Sequence, residues 1–171
     1  MAGRKLFGTN VLVDEFVGNL TTIETIDGGW ATKYFDEQNG QYWLKYVVDE
    51  KGFFHHLMFI SPAPTTGELI DIALTSVHLD EVLAAATRLH LEEQPQQNQF
   101  WQDLINKINQ LDLEHLDQSE KERIKIIVHA SQLTDKVNRR EILGKSYSEI
   151  LKDAQFFNLL AIEAQKILDK I

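Results

Sequence analysis

Six histidines, His55, His56, His78, His90, His115 and His129, are the side chains best suited to proton transfer or metal ligation near neutral pH. A zinc site asks for His, Asp or Glu converging on one point, which a helix supplies as a pair four residues apart. No two of these histidines have that spacing. His55 and His56 are adjacent in a stretch that reads as strand, so they point to opposite faces and cannot chelate together. His55 is expected as a hydrogen-bonded core residue and His56 as a surface one. The chain has no cysteine, which excludes a thiol nucleophile, a disulfide framework and a thiolate metal site. It has no glycine-rich phosphate loop, no G-x-S-x-G elbow and no H-E-x-x-H. Neither a metal nor a cofactor is expected.

One spacing does suggest chemistry. Arg123 and His129 stand six residues apart in a segment with helical period. This resembles the R-x(4–6)-H pair of HEPN ribonucleases, in which Arg and His act on the RNA backbone across a dimer interface. The resemblance covers two residues, and Ile124 stands where that family has a small polar residue. It implies RNA cleavage without added metal, with Arg123 and His129 as the catalytic pair. The plain alternative is a solvated Arg123 and a His129 packed at a helix interface. A HEPN-like helical ribonuclease is the second reading of this chain; the leading one has no catalytic residues.

The elements that position such residues come in two styles. From Leu20 to Thr75 the chain reads as short strands separated by Asp27-Gly28-Gly29, Asn39-Gly40 and Asp49-Glu50-Lys51-Gly52, about eleven residues apart. Each turn offers Gly, Asn or Asp where a hairpin needs positive φ. The intervening segments are rich in Thr, Val, Ile and aromatics, as an antiparallel meander requires. Alternation places Ala31, Phe35, Tyr42, Leu44, Tyr46, Val48, Phe53, His55, Leu57 and Phe59 on the face better suited to a core. It places Trp30, Thr32, Tyr34, Trp43, Lys45, Val47, Phe54, His56, Met58 and Ile60 on a mixed face.

Before the meander, Met1 to Lys5 are expected to fray, and Asn10 is expected to cap a short helix over VLVDEFVGN. After it, Glu68 to Thr75 is a short apolar run that fits a fifth strand or a helix start, and strand is preferred because it follows a turn. From Ser76 the period changes to that of helices. The expected helices cover His78 to Glu93 and QFWQDLINKINQL capped by Asn98. A third opens at the Asp117–Glu120 capping box and runs to about Leu143, with Gly144 as its stop. A last one opens at the Ser146–Glu149 box and runs to the C-terminus. The fold class is therefore α+β: a short helix, an antiparallel sheet of four or five strands across residues 20 to 75, then four helices. A single domain is expected over 1–171, with a sheet part over 1–76 and a helical part over 77–171.

Charge narrows the partners. The net charge is −9, with 26 acidic against 17 basic side chains. That balance disfavours nucleic acid and anionic membranes and favours a basic protein partner. Met1 to Leu20 has no apolar h-region and no run reaches membrane-spanning length, so a cytoplasmic protein, monomeric or weakly dimeric, is expected.

Trp30, Tyr34 and Trp43 share the mixed face by parity. Tyr and Trp anchor protein interfaces because they bury much area at little entropic cost; the alternative is that helices cover them. Asp27, Asp49 and Glu50 fall at one end of the meander and Asp36 and Glu37 at the other, so either end can meet a basic partner.

The segment G29-W-A-T-K-Y-F-D-E-Q-N-G-Q-Y-W43 resembles segments of small bacterial immunity proteins of polymorphic-toxin and contact-dependent growth inhibition systems. Those carry a Gly-Trp, a Lys-Tyr, an acidic-Gly turn and a Tyr-Trp pair. The likeness spans about fifteen of the 171 residues. It implies a non-enzymatic protein that neutralises a toxin domain. Nuclease toxins are basic because they hold phosphates, so an acidic inhibitor is steered to them and covers the active site.

Overall fold

The computed structural model describes residues 3–96 and 100–171. The architecture is α+β, among the described residues a five-stranded antiparallel sheet near the N-terminus together with six α-helices. The chain divides into two compact units, Met1–Ala85 and Ala86–Ile171.

In the first unit the sheet order is β1-β5-β4-β3-β2, with β1 at Leu6–Phe7, β2 at Thr21–Ile26, β3 at Ala31–Asp36, β4 at Gln41–Val47 and β5 at His55–Phe59. β2 to β5 form the expected meander. The fifth strand is not the expected one. Leu6 and Phe7 pair with Met58 and Leu57, whereas Thr66–Thr75 is a helix, α2. Its start is fixed by a reciprocal capping box: the Thr65 hydroxyl accepts from the Glu68 N–H, and the Glu68 carboxylate accepts from the Thr65 N–H at 2.9 Å. Leu69, Ile70 and Ala73 then face inward at helical spacing.

The N-terminus is also held rather than frayed where it is described. Phe59 donates its N–H to the Lys5 carbonyl at 2.8 Å. Buried Glu81 accepts from the N–H groups of Lys5 at 2.8 Å and Leu6 at 3.2 Å, satisfying edge donors that β5 does not reach.

The faces of the sheet differ from the parity expectation in one strand. β3 and β4 pair Phe35 with Tyr42 and Tyr34 with Trp43, so a four-residue loop joins them and their faces are as expected. β4 and β5 pair Trp43 with Phe59, Lys45 with Leu57 and Tyr46 with His56. The Val48 N–H bonds the Phe54 carbonyl at 3.0 Å, leaving an odd number of residues in the connecting loop. That single-residue slip turns every β5 side chain to the opposite face. His56 is consequently buried beside Tyr46, and His55 is half-buried, the reverse of the expectation.

The expected short helix forms as α1, Asn10–Val17, and lies over the Trp43 face, but Asn10 is not its cap. Thr9 holds the cap position without a side-chain hydrogen bond, and Asn10 is the first helical residue, its side chain engaged with Phe53 and His55 instead. Phe7, Val13, Trp43 and Leu57 make the buried centre there, with Leu12, Phe16, Val17, Leu20, Tyr34 and Phe59 around it.

In the second unit α4 (Phe100–Asn109) and α5 (Gln118–Ala130) pack on α6 (Tyr147–Lys170). Trp101 meets Phe157 edge to face at 5.1 Å, with Leu104, Ile108, Ile127 and Ala164 buried. α3 covers Leu79–Gln96. The proposed Asn98 cap of α4 lies outside the described residues. Both capping boxes at Asp117 and Ser146 are present. α5, however, ends at Ala130 rather than near Leu143. Gln132 takes φ 55° and the Leu133 N–H reaches back to the Val128 carbonyl at 3.0 Å, a Schellman closure made without glycine.

Candidate partner-binding surface

The residues singled out from the sequence fall into three environments. Trp43 is 3% exposed and belongs to the core under α1. Its ring stands edge-on to Phe16 at 4.7 Å and to Phe59 at 5.5 Å. Tyr34, its cross-strand neighbour, is half-buried against the same cluster. Trp30 is apart from both: it follows the Asp27–Gly29 turn and is 49% exposed.

The acidic residues separate in the same way. Asp36 is buried, and its carboxylate accepts from the Gln38 N–H at 3.0 Å, the Asn39 N–H at 3.3 Å and the Asn39 side-chain amide at 2.7 Å. It holds the β3–β4 turn. Glu37 is exposed and accepts from the Thr21 hydroxyl at 2.8 Å. Asp49 ties its own loop, accepting from the Phe54 N–H at 2.7 Å and the Lys51 N–H at 3.2 Å. Glu50 and Asp27 are exposed.

One end of the sheet therefore gathers what an interface needs. The Val47 N–H bonds the Trp30 carbonyl at 3.0 Å, and the next residue, Val48, bonds Phe54. Trp30, Val47–Val48 and Phe54 thus occupy the ends of three neighbouring strands, roughly 10 Å across at ordinary strand spacing. The Asn10 side chain joins α1 to the same end, donating to the Phe53 carbonyl at 2.7 Å and accepting from the His55 N–H at 2.8 Å. Phe53 and Phe54 are 67% and 62% exposed, and Val11 is 77% exposed. Neither phenylalanine was expected as a partner contact, because the parity pattern assigns them to strand faces; the structure places them in the loop before β5. The signal that marks them is their position directly after Asp49–Gly52, within reach of the loop rather than the ladder. Exposed large apolar side chains with carboxylates at their margin are the composition expected of a partner-binding surface.

The opposite end has a cleft of about 740 Å³ lined by Arg4, Lys5, Asn19, Gln38, Gln41 and Trp43, among others. Its cations are paired, Arg4 with Asp80 and Lys5 with Glu68 at 2.9 Å. The Thr65 N–H and Lys5 ammonium hold the Glu68 carboxyl down to about 2.

Arg123 and His129 lie on different sides of α5, since six residues turn a helix about 240°. Arg123 is half-buried and His129 exposed, so neither the solvated Arg nor the packed His of the plain alternative is observed. The described residues hold no group of three or more His, Asp or Glu side chains arranged for a metal ion. No helix among them is long and apolar enough to cross a membrane. Comparison of the chain with models of protein families, with curated proteins and with solved structures finds no match.

Proposed function

We propose that this protein is a non-enzymatic inhibitor, of the immunity-protein kind, that binds a basic toxin domain and covers its working surface. The single observation that carries the reading is the coincidence of exposed Trp30, Phe53 and Phe54 with Asp27 and Glu50 at one end of the sheet. Charge adds support. The Met1–Ala85 unit that bears this end has twelve acidic and five basic side chains, a net −7 of the chain's −9. A patch of that sign draws a phosphate-binding protein surface and holds it through the aromatics.

The test is co-expression with basic nuclease-toxin domains and measurement of binding to each purified domain. Protection from one of them, with a complex whose association slows as salt rises through the range where exposed charges are screened, is the expected outcome. Absence of protection and of binding across the panel overturns the reading.

A further inference from the structure

Residues 131–146, between α5 and α6, form neither helix nor strand. The start of this connector is packed, with Ser131 and Leu133 fully buried. Further on the chain turns outward. Ile142 is 59% and Leu143 85% exposed, so the tip gains no stability from a core. Gly144 takes φ 79°, and the Lys145 N–H closes the turn on the Ile142 carbonyl at 3.1 Å.

What holds such a tip is charge. Arg140 and Lys145, on either side of it, both reach Asp153 on α6. Arg140 donates to Oδ1 at 2.6 Å and Lys145 to Oδ2 at 2.8 Å. The Arg140 guanidinium also lies over the Phe156 ring, 4.4 Å from its centroid. Asp153 is buried, and a carboxylate out of water binds strongly to cations that engage both its oxygens. The two ties start at opposite ends of the tip and finish on one residue, so they shut residues 140–145 into a closed loop. Its flanks do not depend on Asp153. Arg139 pairs within the connector, with Gln132 at 2.6 Å and with Asp135, and Ser146 is fixed by the capping box with Glu149.

We propose that Asp153 is a latch. Its carboxylate keeps an exposed apolar tip ordered, and the tip becomes mobile on its release while the helices stay folded. An ordered tip meets a partner at less entropic cost than a loose one. The device is independent of the toxin-binding reading, which uses the other unit.

The test is the backbone order parameter of Ile142, Leu143 and Gly144 from nitrogen-15 relaxation of the full chain, with circular dichroism to show that each variant stays folded. In the wild type these residues are expected at about 0.85, the value of rigid backbone, despite their exposure. Asp153→Asn is expected to drop them below about 0.6 and to speed exchange of the Lys145 N–H at least about fivefold. Lys145→Met lowers the order parameters in the wild-type background and adds nothing to Asp153→Asn, because the loop is already open. Ile108→Val, in the buried core of α4, leaves the tip as rigid as before. If Asp153→Asn does not fold, Lys145→Met set against Ile108→Val decides the question. A wild-type tip already below about 0.6, a tip that stays rigid without the latch, or an equal loss from Ile108→Val overturns the proposal.

Discussion

Trp43 stands edge-on to Phe16 at 4.7 Å, with an interplanar angle of 62°, and this pairing roofs the centre of the sheet with α1. It divides the three tryptophan and tyrosine candidates on the sheet into a core residue, a half-buried one and an exposed one. Trp43→Ala therefore empties a well-packed site and is expected to cost about 3 to 5 kcal/mol of stability, measured by chemical denaturation. Trp30→Ala and Phe54→Ala should change stability by less than about 0.5 kcal/mol. Each should instead weaken toxin binding by about 2 kcal/mol, roughly thirtyfold.

Charge reversal separates the two ends of the sheet. Asp27→Lys together with Glu50→Lys is expected to slow association with a basic partner several-fold at low salt, with little change in dissociation rate. Glu37→Lys, at the other end, should leave both rates near wild type. Equal effects from the two ends would remove the assignment of the surface. Asp36 and Asp49 are unsuitable for this comparison, because their carboxylates hold turns.

Acid should weaken the sheet unit through His56. Burial lowers its pKa to about 4, against an ordinary value of 6.5. The unfolded chain thus takes up a proton near pH 6.5 that the folded protein refuses until about pH 4. Stability from this residue is whole above 6.5 and is lost as pH falls from 6.5 to 4, by about 3 kcal/mol in total. His56→Gln should flatten that part of a pH–stability profile. His90 is also lowered, first by burial and then by Arg139, so a residual slope of the same sign remains.

Gly8 tests the closure of the sheet edge. A Cβ placed there would lie 2.2 Å from the Asp80 carbonyl oxygen and 3.1 Å from the Ala84 nitrogen, both backbone atoms. Gly8→Ala forces β1 and α3 apart and is expected to destabilise by about 1 to 3 kcal/mol, read from the denaturation midpoint.

What the sequence made legible follows the strength of local codes. The meander and the capping boxes at Asp117 and Ser146 rest on turn residues, alternation and polar caps close in the chain, and all of them form. α1 forms as well, though one residue out of step with the expected cap, because the Asn10 side chain is taken by the Phe53 and His55 backbone. α2 was legible too, in Thr65 and Glu68, but its eight-residue run carries both periods and the cap must arbitrate. The end of α5 was not legible, because Gln132 adopts a left-handed conformation that its side chain does not favour. β1 escapes because two residues carry no period; Leu6 and Phe7 become strand only through Met58, Leu57 and Glu81. The candidate surface was half legible. Trp30, Asp27 and Glu50 follow from the turns, while Phe53 and Phe54 depend on a loop whose odd length is decided by packing.

The hold of Glu81 on Lys5 and Leu6 bears on how the chain is assembled at the ribosome. Seventy-six residues separate Glu81 from Lys5, so the first strand emerges long before its acceptor exists. Until residue 81 has left the exit tunnel, β1 can already meet β5, but the N–H groups of Lys5 and Leu6 lack their carboxylate acceptor. Synthesis thus passes through an interval in which the nascent sheet can pair with a foreign strand.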